Sequence, residues 1–299
     1  MKRRFYTLDV FADRPLAGNP LAVVLDSAGL DAARMQAIAR EFNLSETTFV
    51  LEPRDQVNTA ALSIFTPARE LPFAGHPTIG SAVTVAVVRA PEMLGRGDLQ
   101  IVLEEKVGPV RCNVRRKGDI YFASFGLPAL PFTIPGVPEE ADVASALGLH
   151  PSAIGFDRHR VSRYSCGTPY TFVPVDGLDA IARAAPDSTR FGKVFGEMGA
   201  FVYTRETLNA ENAVHARMFA PRFGIAEDPA TGSAAAAFAG VAQEFETPED
   251  GVHTLTIEQG FEMGRPSLIH LTMEIAGGRV ISGEIGGAAV IVSQGTIDV

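Results

Sequence analysis

Only two cysteines, Cys112 and Cys166, occur among the 299 residues. That excludes a disulfide framework and makes a reducing, cytoplasmic setting the expectation. Lysine is nearly as scarce, at Lys2, Lys106, Lys117 and Lys193. None falls in the motifs described below, which argues against a cofactor held as a lysine Schiff base. The histidines (His76, His150, His159, His215, His253 and His270) nowhere take the helical spacing of a metal pair. There is no P-loop, and no dinucleotide glycine fingerprint follows a strand. Positive charge is in deficit. A net charge of −9 and a pI near 5.2 argue against a nucleic-acid surface. The one basic cluster, Arg111, Arg115, Arg116 and Lys117, fits a solvated strand edge. No apolar run is long enough to span a bilayer. Asp9 and Asp13 interrupt the stretch after Met1-Lys2-Arg3-Arg4, where a leader would carry its apolar core. The chemistry is left to ordinary side chains, with no metal and no cofactor expected.

What the chain does have is a motif written twice. Gly75-His76-Pro77-Thr78-Ile79-Gly80-Ser81-Ala82 recurs half a chain later as Glu227-Asp228-Pro229-Ala230-Thr231-Gly232-Ser233-Ala234. Pro, Gly, Ser and Ala match in register, and His76 aligns with Asp228. Each copy runs into an apolar stretch. The lead-ins match as well, Ile64-Phe65-Thr66-Pro67 with Met218-Phe219-Ala220-Pro221. A duplicated strand–turn–helix, with His at one helix start and Asp at the other, implies one active site shared by two similar halves. A second echo, Thr48-Phe49-Val50 with Thr171-Phe172-Val173, sets Glu46 and the Gly167-Thr168-Pro169 turn at related points.

An apolar content of 46% and a charged content of 20% describe a folded chain long enough for two domains. Strand-like runs at Phe5 to Phe11, Leu21 to Leu25, Thr47 to Leu51 and Ala60 to Phe65 flank a helical period over Asp31 to Phe42. Pro77 to Arg89 is apolar on nearly every face, so it is expected to be a buried central helix. The second half predicts helices at Glu139 to Leu147, Pro186 to Phe195 and Pro229 to Gln243, the last with Asp228 as N-cap. Strands are expected at Tyr170 to Val175, Ala200 to Thr204 and Ala213 to Phe219. Four more are expected at Thr254 to Glu258, Leu268 to Ile275, Val280 to Glu284 and Ala288 to Val292. Without regular crossover helices, this is an α+β chain of two similar halves, each a mostly antiparallel β-barrel around a central apolar helix. The prolines between Gly118 and Pro138 mark the boundary. The expected domains are 1–118 with the C-terminal strand 288–299, and 119–287.

Two helix N-termini aimed at one cleft would form an anion trap for a substrate carboxylate. Gly75, Gly80 and Gly232 would allow close backbone approach to the ligand. His76 alone reads as a polar turn residue. At a positive helix end its pKa falls, leaving a neutral imidazole suited to proton relay. Asp228 caps its helix and, ionised there, could hold a substrate ammonium group or orient His76. Glu46 alone reads as a solvated strand-start glutamate; against apolar walls it becomes a general base and then acid. Asn19, in the turn Gly18-Asn19-Pro20, is either structural or a substrate contact.

Taken together, several segments resemble the phenazine-biosynthesis isomerase family (PhzF-like), a branch of the diaminopimelate-epimerase-like fold. They are Gly18-Asn19-Pro20-Leu21-Ala22-Val23-Val24, Ser45-Glu46-Thr47-Thr48-Phe49, Glu70 to Gly80, Glu227 to Ala234, and Glu258-Gln259-Gly260 with Gly264-Arg265-Pro266-Ser267. The resemblance implies a cofactor-independent isomerase that shifts a proton within a small carboxylate-bearing substrate, and a homodimer. It implies that Glu46 is the acid/base and that His76, Asp228 and Ser233 line the site. Ser45, Gly75, Gly80, Ser81, Gly232 and Asn19 complete the expected substrate-binding set. It also implies that the last strand returns to the first domain. Epimerase relatives use two facing cysteines, and neither matching segment here holds a thiol, which disfavours a two-thiol racemase. Two alternatives share the scaffold: a protein that sequesters a small acid without turnover, and an amino-acid epimerase or dehydratase working with Glu46 and Asp228. Specificity is expected from loops near Arg14, Arg69, Phe73 and Arg222 to Ile225.

Overall fold

A computed structural model describes residues 1–221 and 225–299. Arg222 to Gly224, within one of the expected specificity loops, lie outside the described residues. The chain divides into two compact units, residues 1–126 with 286–299, and residues 127–285.

The first unit contains β1 (Lys2–Val10), β2 (Asn19–Val24), α1 (Ala32–Phe42), β3 (Glu46–Leu51), β4 (Ala60–Phe65) and the short β5 (Glu70–Leu71). Then come α2 (Gly75–Arg89), α3 (Pro91–Leu94), β6 (Leu99–Glu105), β7 (Gly108–Lys117) and β8 (Ile120–Gly126). The C-terminal strand, Arg279–Asp298, enters this unit from residue 286. It pairs antiparallel with β1. The order runs from there through β2, β3, β4, β6, β7 and β8, and β8 pairs back onto the C-terminal strand, so the ring closes. The β2–β3 and β4–β6 pairs are parallel and the other registered pairs antiparallel.

Inside the ring lies α2, buried without interruption from Gly75 to Ala86. An apolar helix with no polar face can be stable only when enclosed on all sides. Close packing needs Gly80: a Cβ there would come within 2.5 Å of Leu21 and 2.9 Å of Val10. Both neighbours are fully buried. Gly80→Ala is therefore expected to lower stability by about 1–3 kcal/mol, read as a lower urea midpoint. An unchanged midpoint would mean that Leu21 and Val10 can yield. Outside the ring, α1 begins at its cap, Asp31, which accepts from the Arg34 N–H. Met35, Ile38 and Ala39 pack with Val24, Phe49 and Phe65. This explains why β3 is buried on both faces from Glu46 to Val50.

The second unit contains β9 (Phe132–Thr133), α4 (Glu140–Ala146), β10 (Ser162–Ser165), β11 (Pro169–Pro174), α5 (Leu178–Arg183), α6 (Phe191–Phe195) and β12 (Gly199–Thr204). It continues with β13 (Val214–Ala220), β14 (Ile225–Asp228), α7 (Gly232–Val241), β15 (Gly251–Gln259) and β16 (Ser267–Ala276). Its ladder β10–β11–β12–β13–β15–β16 repeats the sequence of orientations in β1–β2–β3–β4–β6–β7, with β11–β12 and β13–β15 parallel. Phe238 of α7 packs against Phe172, Phe201 and Tyr203 of the strands around it. On the other face of this sheet, α4, α5 and α6 cover β11 to β13 through Val143, Ile181, Phe191 and Phe195.

Several sequence expectations are corrected. β8 pairs with β7, so the division falls after 126 and not after 118. The solvated-edge reading of Arg111, Arg115, Arg116 and Lys117 stands: all four are exposed on β7, Arg111 registered only with β6 and the other three only with β8. The predicted helix Pro186 to Phe195 shrinks to α6. Asp187 captures the Thr189 and Arg190 N–H groups in a turn instead. The two predicted terminal strands are one continuous strand. The echo between Thr48-Phe49-Val50 and Thr171-Phe172-Val173 is not a structural equivalence: by ladder order the counterpart of β3 is β12, and that of β2 is β11.

Candidate active site

Glu46 opens β3 and pairs with Leu21 across the parallel ladder. Leu21 points inward against Gly80, so Glu46 and Asn19 share the inner face of the ring at its α2 N-terminal mouth. Glu46 is 7% exposed and Asn19 fully buried. The solvated strand-start reading of Glu46 is thus set aside. Ser45 precedes the strand and is half-buried. The cap residue of α2 is Ala74, which has no side chain to satisfy the first-turn N–H groups. His76, the second residue of the helix, is 5% exposed, and its Nε2 lies 3.1 Å from Glu46 Oε2. Burial pushes the imidazole down to about 3, so His76 is neutral at physiological pH. No described residue offers His76 Nε2 an aligned hydrogen bond. A buried ring nitrogen in that state, beside a buried carboxylate, is a place where a substrate group would be in demand. Gly80 and Ser81 sit deeper in the ring; the Ser81 hydroxyl is 2.8 Å from that of Thr48.

The low pKa carries a stability consequence. The unfolded chain takes up a proton near the ordinary histidine value of 6.5, whereas the folded chain holds off to about 3. Stability is therefore complete above 6.5 and declines as pH falls toward 3. Compared with His76→Gln, the wild type is expected to lose about 2 kcal/mol more between pH 6.5 and about 4.5, measured by urea denaturation. Parallel curves for the two proteins would show that His76 is not held neutral by burial.

In the second unit Asp228 ends β14, 7% exposed, and accepts from the Thr231 hydroxyl. It is not the N-cap of α7; Thr231 is. The reason is Gln259, fully buried at the end of β15. Its Nε2 donates to the Asp228 carbonyl at 2.7 Å and to Thr231 Oγ1 at 3.1 Å. Its Oε1 accepts the Thr231 N–H at 3.1 Å. These bonds hold residues 228–231 outside the helix. Ser233 in the first turn is 2.7 Å from the Tyr170 hydroxyl, and Gly232 is buried. The position matching Glu46, fixed by the pairs Thr47↔Phe65 and Ala200↔Phe219, is Gly199. The duplicated fold carries its candidate acid/base in the first unit only.

One duplicated feature escapes motif reading. Glu104 accepts from the Arg54 and Asp55 N–H groups and from Asn58 Nδ2, at 2.7–2.9 Å. Glu258 does the same with Leu208, Asn209 and Asn212, again at 2.7–2.9 Å. The parallel pairs Ala61↔Glu104 and His215↔Glu258 put the two carboxylates at one structural position. Asn58 and Asn212, each just ahead of a strand, were the available sequence signal. The clamps fasten the loops entering β4 and β13 to β6 and β15. Glu258 also meets His215 Nδ1 at 2.8 Å, and His215 Nε2 meets Glu262 at 2.9 Å. Burial opposes the His215 charge, but the bonds to Glu262 and Glu258 outweigh it and raise the imidazole pKa.

Comparison with known proteins bears on this geometry. The family model described as phenazine biosynthesis-like protein matches residues 8–295. The chain belongs to the phenazine biosynthesis-like family. It is 48% identical to an uncharacterized isomerase of Mesorhizobium japonicum, with 99% of each chain covered. It is 35% identical to trans-2,3-dihydro-3-hydroxyanthranilate isomerase of Pseudomonas fluorescens, with 98% of each covered. The crystal structure of a Bacillus anthracis phenazine biosynthesis protein of the PhzF family superposes with a TM-score of 0.88 over all of both chains at 24% identity. This chain is thus an enzyme of an isomerase family, with the family's α+β fold. Among its described residues, no helix is long and apolar enough to cross a membrane.

Proposed function

We propose that this enzyme is a cofactor-independent isomerase that moves a proton between carbons of a small carboxylate-bearing substrate, with Glu46 as the acid/base. The observation that carries this reading is the buried Glu46 beside a neutral, buried His76 at an uncapped helix N-terminus. As a carboxylate, Glu46 takes a proton from a carbon next to an activating group, leaving a delocalised anion. It then gives a proton back to another carbon of that system, after the carboxyl has exchanged its proton with solvent, so atoms and charge balance. His76, neutral, donates or accepts a hydrogen bond at the reacting end without adding charge. The Gly75 and His76 N–H groups in the first turn of α2, which no side chain caps, favour a substrate carboxylate.

Asp228, with Ser233 and Gly232, is proposed to bind a polar or ammonium group of the same substrate, and Asn19, Ser45 and Gly75 to complete the contacts. The name of the Pseudomonas fluorescens relative makes trans-2,3-dihydro-3-hydroxyanthranilate the first substrate to try. A homodimer in the cytoplasm is part of the proposal, checked by sedimentation and by fractionation.

The test is deuterium uptake from heavy water, followed by NMR over a panel of small acids including that compound and common amino acids. Uptake at a carbon other than the one that loses its proton supports isomerisation. Uptake with loss of optical activity at a single carbon would replace it with epimerisation. Ligand-induced shifts with no uptake in any compound bound would replace it with sequestration.

A further inference from the structure

β6 ends in two glutamates with opposite surroundings. Glu104 faces outward into its loop clamp. Glu105 faces inward with Ile101 and Leu103 and is 7% exposed. Its Oε1 lies 2.6 Å from the Thr78 hydroxyl, and its Oε2 has no hydrogen-bond partner among the described residues. The Thr78 hydroxyl is also 2.8 Å from the Ala74 carbonyl. A hydroxyl has one proton to give. Were Glu105 a carboxylate, Thr78 would face two acceptors with a single proton, and a charged oxygen would be left buried without a partner. A protonated Glu105 removes both difficulties: its O–H donates to Thr78 Oγ1, and Thr78 donates to Ala74.

The second unit supplies an independent argument. The matching clamps make Glu104 and Glu258 equivalent, so the residue equivalent to Glu105 is Gln259. Gln259 sits at the N-terminal turn of α7, donating and accepting through one planar group. A carboxylic acid has the outline of a carboxamide, with one donor and one acceptor edge. We infer that Glu105 works as a neutral acid in the place of that amide, and that through Thr78 and Ala74 it is a positioning residue for His76 on the first turn of α2. The positioning role rests on the reading of Glu46 and His76 as the reacting pair; the protonation state does not.

The surroundings agree. The inward residues of neighbouring strands are apolar (Ala60, Leu62, Ala123, Phe125) apart from Cys112 of β7. The Cys112 thiol is pushed up by burial and by Glu105, and His76 is neutral. Lys106, next in sequence, is exposed and paired with Glu70. Burial raises Glu105 to about 8, against some lowering by Thr78.

The experiment compares the wild type with Glu105→Gln and Glu105→Leu. Infrared spectra of protein with carboxyl-labelled glutamate should show a protonated-acid carbonyl band at pH 6 that is missing in Glu105→Gln and fades as pH passes about 8. The unfolded chain releases this proton near 4.5 and the folded chain near 8. The wild-type urea midpoint should therefore fall across that window relative to Glu105→Gln. The His76 ring NMR shifts should be kept in Glu105→Gln and displaced in Glu105→Leu. Absence of the band at pH 6, or parallel midpoints across the window, would overturn the neutral acid. Unmoved His76 shifts in a folded Glu105→Leu protein would overturn the positioning role. None of these readouts requires turnover, so failure of the isomerase reading would be recognised separately.

Discussion

Replacing Glu46 by Gln is expected to reduce proton exchange into substrate by about 10²–10⁴-fold with substrate affinity nearly unchanged. Gln keeps the outline of Glu and fills the same space at the start of β3, so the ring should not collapse. What it cannot do is take a proton from carbon. The measurement is deuterium uptake by the variant beside calorimetric binding of the same ligand. Loss of uptake with retained binding is the signature of an acid/base. Exchange at the wild-type rate would remove Glu46 from the chemistry. Because the equivalent position in the second unit is Gly199, there is no matching carboxylate on that strand to take over.

The largest stability effect is expected at Glu258. Glu258→Ala strips the partner from the Leu208 and Asn209 N–H groups, from Asn212 and from one side of His215, all at a fully buried position. Breaking a buried charge network by deleting one member costs about 3–5 kcal/mol. A urea midpoint lowered to match, with far-ultraviolet dichroism retained at low denaturant, is the expected result. Glu104→Ala removes the equivalent clamp where it is half-buried, and its effect should be smaller. Equal effects would mean that burial does not set the value of these clamps.

How much of this could be read from residue order depends on the kind of signal. The paired motifs aligned the two central helices because both needed the same small residues and the same entry turn. α1 was visible through its 3.6-residue period and its Asp31 cap, and β3 through its β-branched and aromatic run Thr47-Thr48-Phe49-Val50. The start of α7 was not, because Gln259, far along the chain, competes for the backbone of 228–231. The false equivalence of β3 with β11 shows the other failure: Thr-Phe-Val is a common strand sequence, and only the ladder order tells which strands correspond. The Glu104 and Glu258 clamps join residues about fifty positions apart, beyond any local pattern. Glu46 stood out through family resemblance alone; its burial depends on β2, α2 and the ring around them.

The return of the C-terminal strand to β1 also sets a schedule. Residues 289–298 supply the partner that β1 needs to complete the first ring, and in sequence they follow the whole second unit. On the ribosome the second unit can be finished while the first still waits for its closing strand. Until then β1 presents an unpaired edge on one side, the kind of surface that recruits chaperones or stray strands. Loss of residues 289–298 would accordingly harm the part of the protein most distant from them in sequence, the β1 edge and the Glu46 ring it helps to build.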